Sequence, residues 1–383
     1  MTDTDTDNRP AERLLSVDAF RGITMVAMIL VNNPGDRRTT YWPLEHAEWH
    51  GWTPTDLVFP FFLFIVGVAI VLALKRRVDD GAARGPLIAK VVKRSLILFS
   101  LGLFLTGYPF GLFGPRSFGE LLSTWRIPGV LQRIAVCYMV VSLLVLTCRP
   151  RTLKVLTVIA LVGYWALMVL VPVPGLGAPN IDSEGGHLAG WLDRTVFGDH
   201  VWQYANVYDP EGILSTIPAI ATTLFGVFAG LLLVGRLDPA DRLVRLFTGG
   251  TMLVLCGYGW GWFFPINKPI WTSSYAVFTA GLAFCGLALC YRYFDIRGHH
   301  KTGRLFAIYG ANAIAVFVGS GVLARTLAYV RVGDTSLQQL VYTTLFASWL
   351  PPRVASLGYA ITWVVGWLFV LAWMYRRRIF IKI

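Results

Sequence analysis

The chain has 383 residues, of which 55% are hydrophobic and only 15% charged, with a formal net charge of +12. That balance excludes an ordinary soluble domain, in which about a quarter of residues are charged. The apolar residues gather in runs of about 20, enough to cross a bilayer core as helices, and lack the alternating segments of a β-barrel. The expected fold class is therefore all-α, a polytopic membrane protein with its helices in one bundle.

The N-terminal MTDTDTDNRP is polar and has no apolar core. It is read as a disordered tail over residues 1–12, ahead of a membrane domain at 13–383, and not as a signal peptide. Ten spans are expected, at residues 14–31, 57–74, 91–108, 128–146, 153–171, 214–234, 246–264, 271–291, 305–323 and 356–375. A further apolar stretch, 337–350, is either a re-entrant or interfacial helix or an eleventh crossing.

Lysine and arginine orient the bundle. Lys75, Arg76, Arg77, Arg84, Lys90, Lys93 and Arg94 follow the second span, and Arg149, Arg151 and Lys154 follow the fourth. Arg236, Arg242 and Arg245 follow the sixth, and Arg292, Arg297, Lys301 and Arg304 the eighth. Alternate loops are thus basic, as is the C-terminus, so both termini are expected in the cytoplasm. Charge distributed over membrane loops excludes a nucleic-acid surface. The five cysteines lie in or at the ends of apolar runs, with neither metal-type spacing nor a disulfide framework.

The opposite side carries the loop YWPLEHAEWHGWTPTD, residues 41–56. His46 is a candidate general base, because a neutral imidazole suits proton transfer near pH 7. Asp56 follows ten residues later, at the start of the second span. A loop closing back on that helix start brings its carboxylate to the imidazole, where it fixes the tautomer and stabilises the imidazolium. The plainer readings are a solvated histidine and a helix-start acid favoured by the macrodipole. His50 competes for the role of base. Asn32 and Asn33 end the first span, either as helix stops or with one amide aimed at a developing oxyanion.

Asp18 and Arg21, three apart in SVDAFRG, share a helix face and can pair; alternatively Arg21 meets a phosphate-bearing ligand. Arg133, inside the fourth span, should face the bundle interior, as an anion ligand or as a partner for Asp56 or Glu211. Tyr208, Asp209 and Glu211 in YDPEG, Asn267 and Lys268 in PINKPIW, and Asn312 in YGANAI are polar groups at span ends or within the ninth span. Each is a helix cap or part of a site. Trp49 and Trp52 belong either to an interfacial aromatic belt or to a platform for a sugar face. The loop at 172–213 is too long for a bare connection, which suits a cover over a site.

Several of these segments together resemble one family. SVDAFRGI, the VNN ending of the first span, YWPLEHAEWHGWTPTDLVFPFFLFIVG, RIPGVLQRIAVCY, YDPEGILSTIPAI, PINKPIWTSSYAVFTAGLA and YGANAIAVF are similar to the transmembrane heparan-α-glucosaminide N-acetyltransferases and their bacterial relatives. The resemblance implies transfer of an acetyl group from cytoplasmic acetyl-CoA, a co-substrate and not a tightly bound cofactor, to an amino sugar across the membrane. It implies that His46 is the essential histidine, Asp56 its aspartate and Asn32 the third catalytic residue. Arg21, Asp18 and Arg133 are then candidates for the acyl-CoA, and Trp49, Trp52, Asp209, Glu211, Asn267 and Lys268 for the acceptor. It further implies a homodimer, no metal, and a bacterial inner membrane with the His46 loop in the periplasm. The chain is expected to lack the luminal N-terminal domain, and it carries extra residues, among them Asp36, Arg37 and Arg38, before His46. Some bacterial relatives are regarded as N-acetylglucosamine importers, which keeps an amino-sugar transporter as the alternative.

Overall fold

The computed structural model describes residues 14–112 and 117–381. The polar tail expected at 1–12 lies outside the described residues. In chain order the helices are α1 (Leu15–Asn32), α2 (Val58–Ile70), α3 (Arg76–Asp79), α4 (Arg84–Gly107), α5 (Phe118–Thr124), α6 (Val130–Thr147), α7 (Pro150–Leu170), α8 (Leu188–Phe197), α9 (Thr216–Val234), α10 (Pro239–Trp260), α11 (Ser273–Cys290), α12 (His300–Ala311), α13 (Ala313–Tyr329), α14 (Leu337–Tyr342) and α15 (Pro352–Arg376). One small hairpin, β1 (Arg331–Val332) against β2 (Thr335–Ser336), interrupts them. The all-α class stands.

A helix occupies each of the ten expected span positions. Seven are long and apolar enough to cross a membrane, and α12 with α13 makes an eighth if the bent pair is one span. The remaining two, α4 and α10, run 24 and 22 residues and carry charge towards their N-termini. One expectation changes and one open alternative narrows. The ninth span is broken at Asn312, where α12 and α13 meet at 63°. There the Asn312 amide bonds Ile379 and Ile381 of the C-terminal tail. The stretch 337–350 holds α14 and a π turn, Thr343–Ala347. Leu337 to Ala347 rises only about 16 Å, against a hydrocarbon core of about 30 Å, so it supplies no eleventh crossing.

Small residues decide how the central helices meet. A Cβ on Gly67 of α2 would lie 1.9 Å from the Thr223 carbonyl oxygen of α9, and one on Gly226 of α9 would lie 1.9 Å from that of Phe64. Helix α1 crosses α12 the same way, with Gly22 against the Phe306 carbonyl. Lipid tails are as apolar as the side chains, so such close van der Waals packing holds the helices together. Phe64, Phe284, Trp271 and Tyr275 fill the space between α2, α9 and α11. Buried hydroxyls on Thr222, Thr223 and Thr279 donate to carbonyls four residues earlier, which leaves none of the three unsatisfied away from water.

The long connection at 172–213 is structured. It contains α8, capped by His187, whose Nδ1 accepts from Gly190 N–H at 3.0 Å. It is tied to the 41–56 loop by the Trp49 indole, which donates to Ile181 O at 2.9 Å, and by His50 Nε2, 2.9 Å from the Asp182 carboxylate.

Gly226→Leu should therefore prevent a monodisperse folded protein, because the added side chain meets the backbone of α2. Gly366→Leu should leave the size-exclusion profile and melting temperature unchanged, since nothing lies within 4 Å of a Cβ there.

Candidate active site

The site is built around the entry to α2. Pro54 opens a 3-10 turn, Pro54–Leu57, and Thr53 with Asp56 forms a capping box at its start. The Asp56 carboxylate thereby turns back over the preceding loop and is 1% exposed. Its Oδ2 accepts the N–H groups of Thr53 at 3.0 Å and Ala47 at 3.1 Å. Its Oδ1 lies 2.6 Å from His46 Nδ1 and accepts from Lys268 Nζ at 3.1 Å. Tyr275 of α11 donates to the Asp56 carbonyl at 2.6 Å, which fixes the turn against the core.

This arrangement selects one histidine tautomer. A carboxylate only accepts, so Nδ1 carries the proton and Nε2 keeps its lone pair. Lys268 Nζ is also 2.9 Å from Nδ1, but with that proton aimed at Asp56 the ammonium bonds the carboxylate and not the ring. Burial pulls the Lys268 pKa below its ordinary value, while the Asp56 charge opposes the shift. The His46 side chain is half exposed and opens on a cavity.

That cavity has a volume of about 1040 Å³. Asn32, His46, Glu48, Asp56, Glu211 and Lys268 line one end. Arg21, Leu74, Arg94 and Tyr138 line the other, where the Arg94 guanidinium lies 5.0 Å from the centre of the Tyr138 ring. Along α2 and its π-turn extension the lining runs from Val58 to Leu74, a rise of about 24 Å. An imidazole held by a carboxylate thus shares one cavity with the guanidinium groups of Arg21 and Arg94, the first lying eleven residues, about 16 Å, down α1 from Asn32.

Residues 13–260 match the model of the family described as heparan-alpha-glucosaminide N-acetyltransferase, catalytic. The chain belongs to that family. It is 34% identical over 372 residues to the heparan-alpha-glucosaminide N-acetyltransferase of Mus musculus, covering 83% of this chain and 55% of the mouse protein. The Homo sapiens protein of the same name is 35% identical over 359 residues, covering 81% of this chain and 53% of its own length. The chain therefore spans about half the length of the curated relatives it matches.

Within this family member the expected residues divide. His46, Asp56, Asn32, Arg21, Glu211 and Lys268 all line the cavity. The asparagine pair separates: Asn33 is buried with Nδ2 donating to Ile29 O at 2.8 Å, closing the helix, while Asn32 faces the cavity. His50 is tied to Asp182 and Asn267 and does not line it. Asp18 holds Arg21 at 2.6 Å and is not itself a lining residue.

Five other candidates, Arg133, Trp49, Trp52, Asp209 and Asn267, do not line the cavity. Arg133 is buried beside α9, donating to Ser215 Oγ and to Gly212 O, with its guanidinium 5.2 Å from the Trp271 ring centre. The α6 residues on the cavity are instead Val130, Leu131, Ile134 and Tyr138. Trp49 and Trp52 are packed away from the cavity, on His187 and Tyr208 and on Phe278 respectively. Asp209 is gripped by both Nε and Nη2 of Arg126, at 2.8 and 2.6 Å. Asn267 is fully buried, its Oδ1 accepting Ile270 N–H. In Lys268 the ammonium serves Asp56 first, although it stands at the cavity wall.

Sequence reasoning missed Arg126, Arg94 and Trp202, which all line the cavity. Arg126 also pairs with Glu211, and its two acids hold its own pKa above the ordinary value. The signal for it was an arginine directly before IPG, with no acid near it in sequence.

The loop that covers the site should respond to acid. Burial, with nearby Arg194 adding to it, pushes the His187 pKa down from 6.5 to about 4. The fold thus holds His187 neutral. The associated stability is complete above pH 6.5 and is lost as pH falls through about 4. Melting temperature should drop over that window, and His187→Asn, which can still accept from Gly190 N–H, should show a shallower drop.

Proposed function

We propose that the protein is a transmembrane acyltransferase, moving an acetyl group from acetyl-CoA to the amine of an amino sugar or glycan. The observation that carries this reading is the single cavity with His46 at one end and Arg21 and Arg94 at the other. Phosphates of the donor meet the guanidinium groups, which suit them by charge and geometry. The pantetheine chain fits the apolar α2 wall, and its thioester reaches His46. The acceptor sits at the opposite mouth beside Glu48, Glu211 and Trp202, the first two suited to an amine and the last to a sugar face.

His46 Nε2 takes a proton from the acceptor nitrogen as that nitrogen attacks the thioester carbon. The Asn32 amide donates to the carbonyl oxygen as it gains charge. The C–N bond forms, the C–S bond breaks, and the imidazolium returns its proton to the leaving thiolate. Asp56 holds the Nδ1–H tautomer throughout and stabilises the imidazolium, while Lys268 keeps the carboxylate ionised. The names of the relatives support glucosamine as the acceptor sugar. The basic loops support a cytoplasmic Arg21 end and cytoplasmic termini, so we assign the His46 mouth to the periplasm of a bacterial inner membrane.

Purified protein given acetyl-CoA should release free CoA thiol only when glucosamine is present. His46→Ala should lower that release by roughly 10²–10⁴-fold without changing the melting temperature. Undiminished release in the variant would remove His46 from the mechanism. Absence of release by the folded parent, together with uptake of labelled N-acetylglucosamine into proteoliposomes, would establish the transporter instead.

A further inference from the structure

The last described residues return to the cavity. Helix α15 ends at Arg376, and Arg378 has φ of 58°, a left-handed conformation that turns the chain back on itself. The turn is closed by Arg378 N–H on Tyr375 O and Ile379 N–H on Met374 O. The backbone then passes Asn312, which is 1% exposed. Its Nδ2 donates to Ile379 O at 3.0 Å and its Oδ1 accepts from Ile381 N–H at 2.9 Å. One amide thus holds both sides of Phe380, as a neighbouring β-strand would.

Phe380 and Ile381 line the cavity at its Arg21 end, alongside Gly310 and Ala311. Gly310 is the contact that fixes the level: a Cβ there would lie 3.2 Å from Arg21 Nε. The tail side chains stay 40% and 50% exposed. Phe380 also packs edge-on against Tyr375, with ring centres 5.8 Å apart. Two hydrogen bonds from a single residue at a helix break, with little apolar burial, describe a segment that can be released without unfolding the bundle.

We propose that residues 379–381, pinned by Asn312, form a latch on the Arg21 end of the cavity and control entry of the thioester donor there. The donor half of this statement rests on the acyltransferase reading; the latch itself rests on the contacts of Asn312.

The test uses the full chain in lipid nanodiscs and separates the two halves. Phe380→Cys is labelled with a maleimide, over the background of the parent's own cysteines. Adding Asn312→Ala should speed labelling several-fold, and saturating acetyl-CoA, which has no free thiol to consume the maleimide, should slow it in the latched protein. In turnover, Asn312→Ala and a chain ending at Arg378 should both change KM for acetyl-CoA several-fold while leaving KM for glucosamine unchanged. The truncated chain retains Asn312, so agreement between the two variants answers a folding defect in either. Labelling insensitive to Asn312→Ala would overturn the latch, leaving the tail as a lipid-facing anchor. Labelling that responds to Asn312→Ala but not to acetyl-CoA, in a protein that does release thiol, would overturn control of the donor. Failure of the parent to release thiol would defeat the acyltransferase reading and the donor half with it, while the response to Asn312→Ala would still support the latch.

Discussion

A single carboxylate organises the His46 end of this bundle. Asp56 accepts from two backbone N–H groups, an imidazole and an ammonium, while nearly sealed from solvent. A buried charge is tolerated only when paired and hydrogen-bonded, and here each donor has a structural consequence. The backbone donors set the entry to α2, the imidazole is held in one tautomer, and Lys268 draws the turn before α11 against the loop before α2. Tyr275 extends the same turn into the core through the Asp56 carbonyl. Removal of the carboxylate would loosen three chain segments at once.

The rest of the bundle supplies the path to that site. Glycine contacts draw α2 onto α9 and α1 onto α12 until their backbones touch. The opposite face of α2 is left free to line a cavity with α1, α6 and α13. Local closeness on one side and open space on the other are thus a single packing solution. Arg126 plays the corresponding part beneath the long loop, joining the start of α6 to Asp209 and Glu211. The acidic pair that sequence order suggests for a ligand is thereby half committed to holding the loop in place.

Much of this was legible from local sequence. The spans follow from apolar run length, and the approach of Asp56 to His46 follows from their spacing of ten in a loop that closes back on the start of α2. Asn32 and Asn33 split between cavity and helix end as their adjacency allows, since neighbouring residues on a helix face different ways. What was not legible depends on contacts distant in sequence. Arg126 and Asp209 lie 83 positions apart, and Trp49 and Ile181 lie 132 apart. Nothing local tells an aromatic residue waiting for a sugar from one locked under a loop. Arg133 was correctly expected inside the bundle, but its direction around α6 turns on a one-residue difference in helical phase. The break at Asn312 was hidden because YGANAI reads as helix until the tail claims the amide.

The central claim is that Asp56 makes His46 a base by orienting it, in a cavity whose donor end is separate. Asp56→Asn tests this most directly, measured as kcat for glucosamine-dependent thiol release beside the dissociation constant for CoA. The account predicts a fall in kcat of about 10³–10⁴-fold with CoA affinity unchanged, because the amide can no longer secure the Nδ1–H tautomer. Turnover near the parent's rate, or a loss confined to CoA affinity, would contradict it.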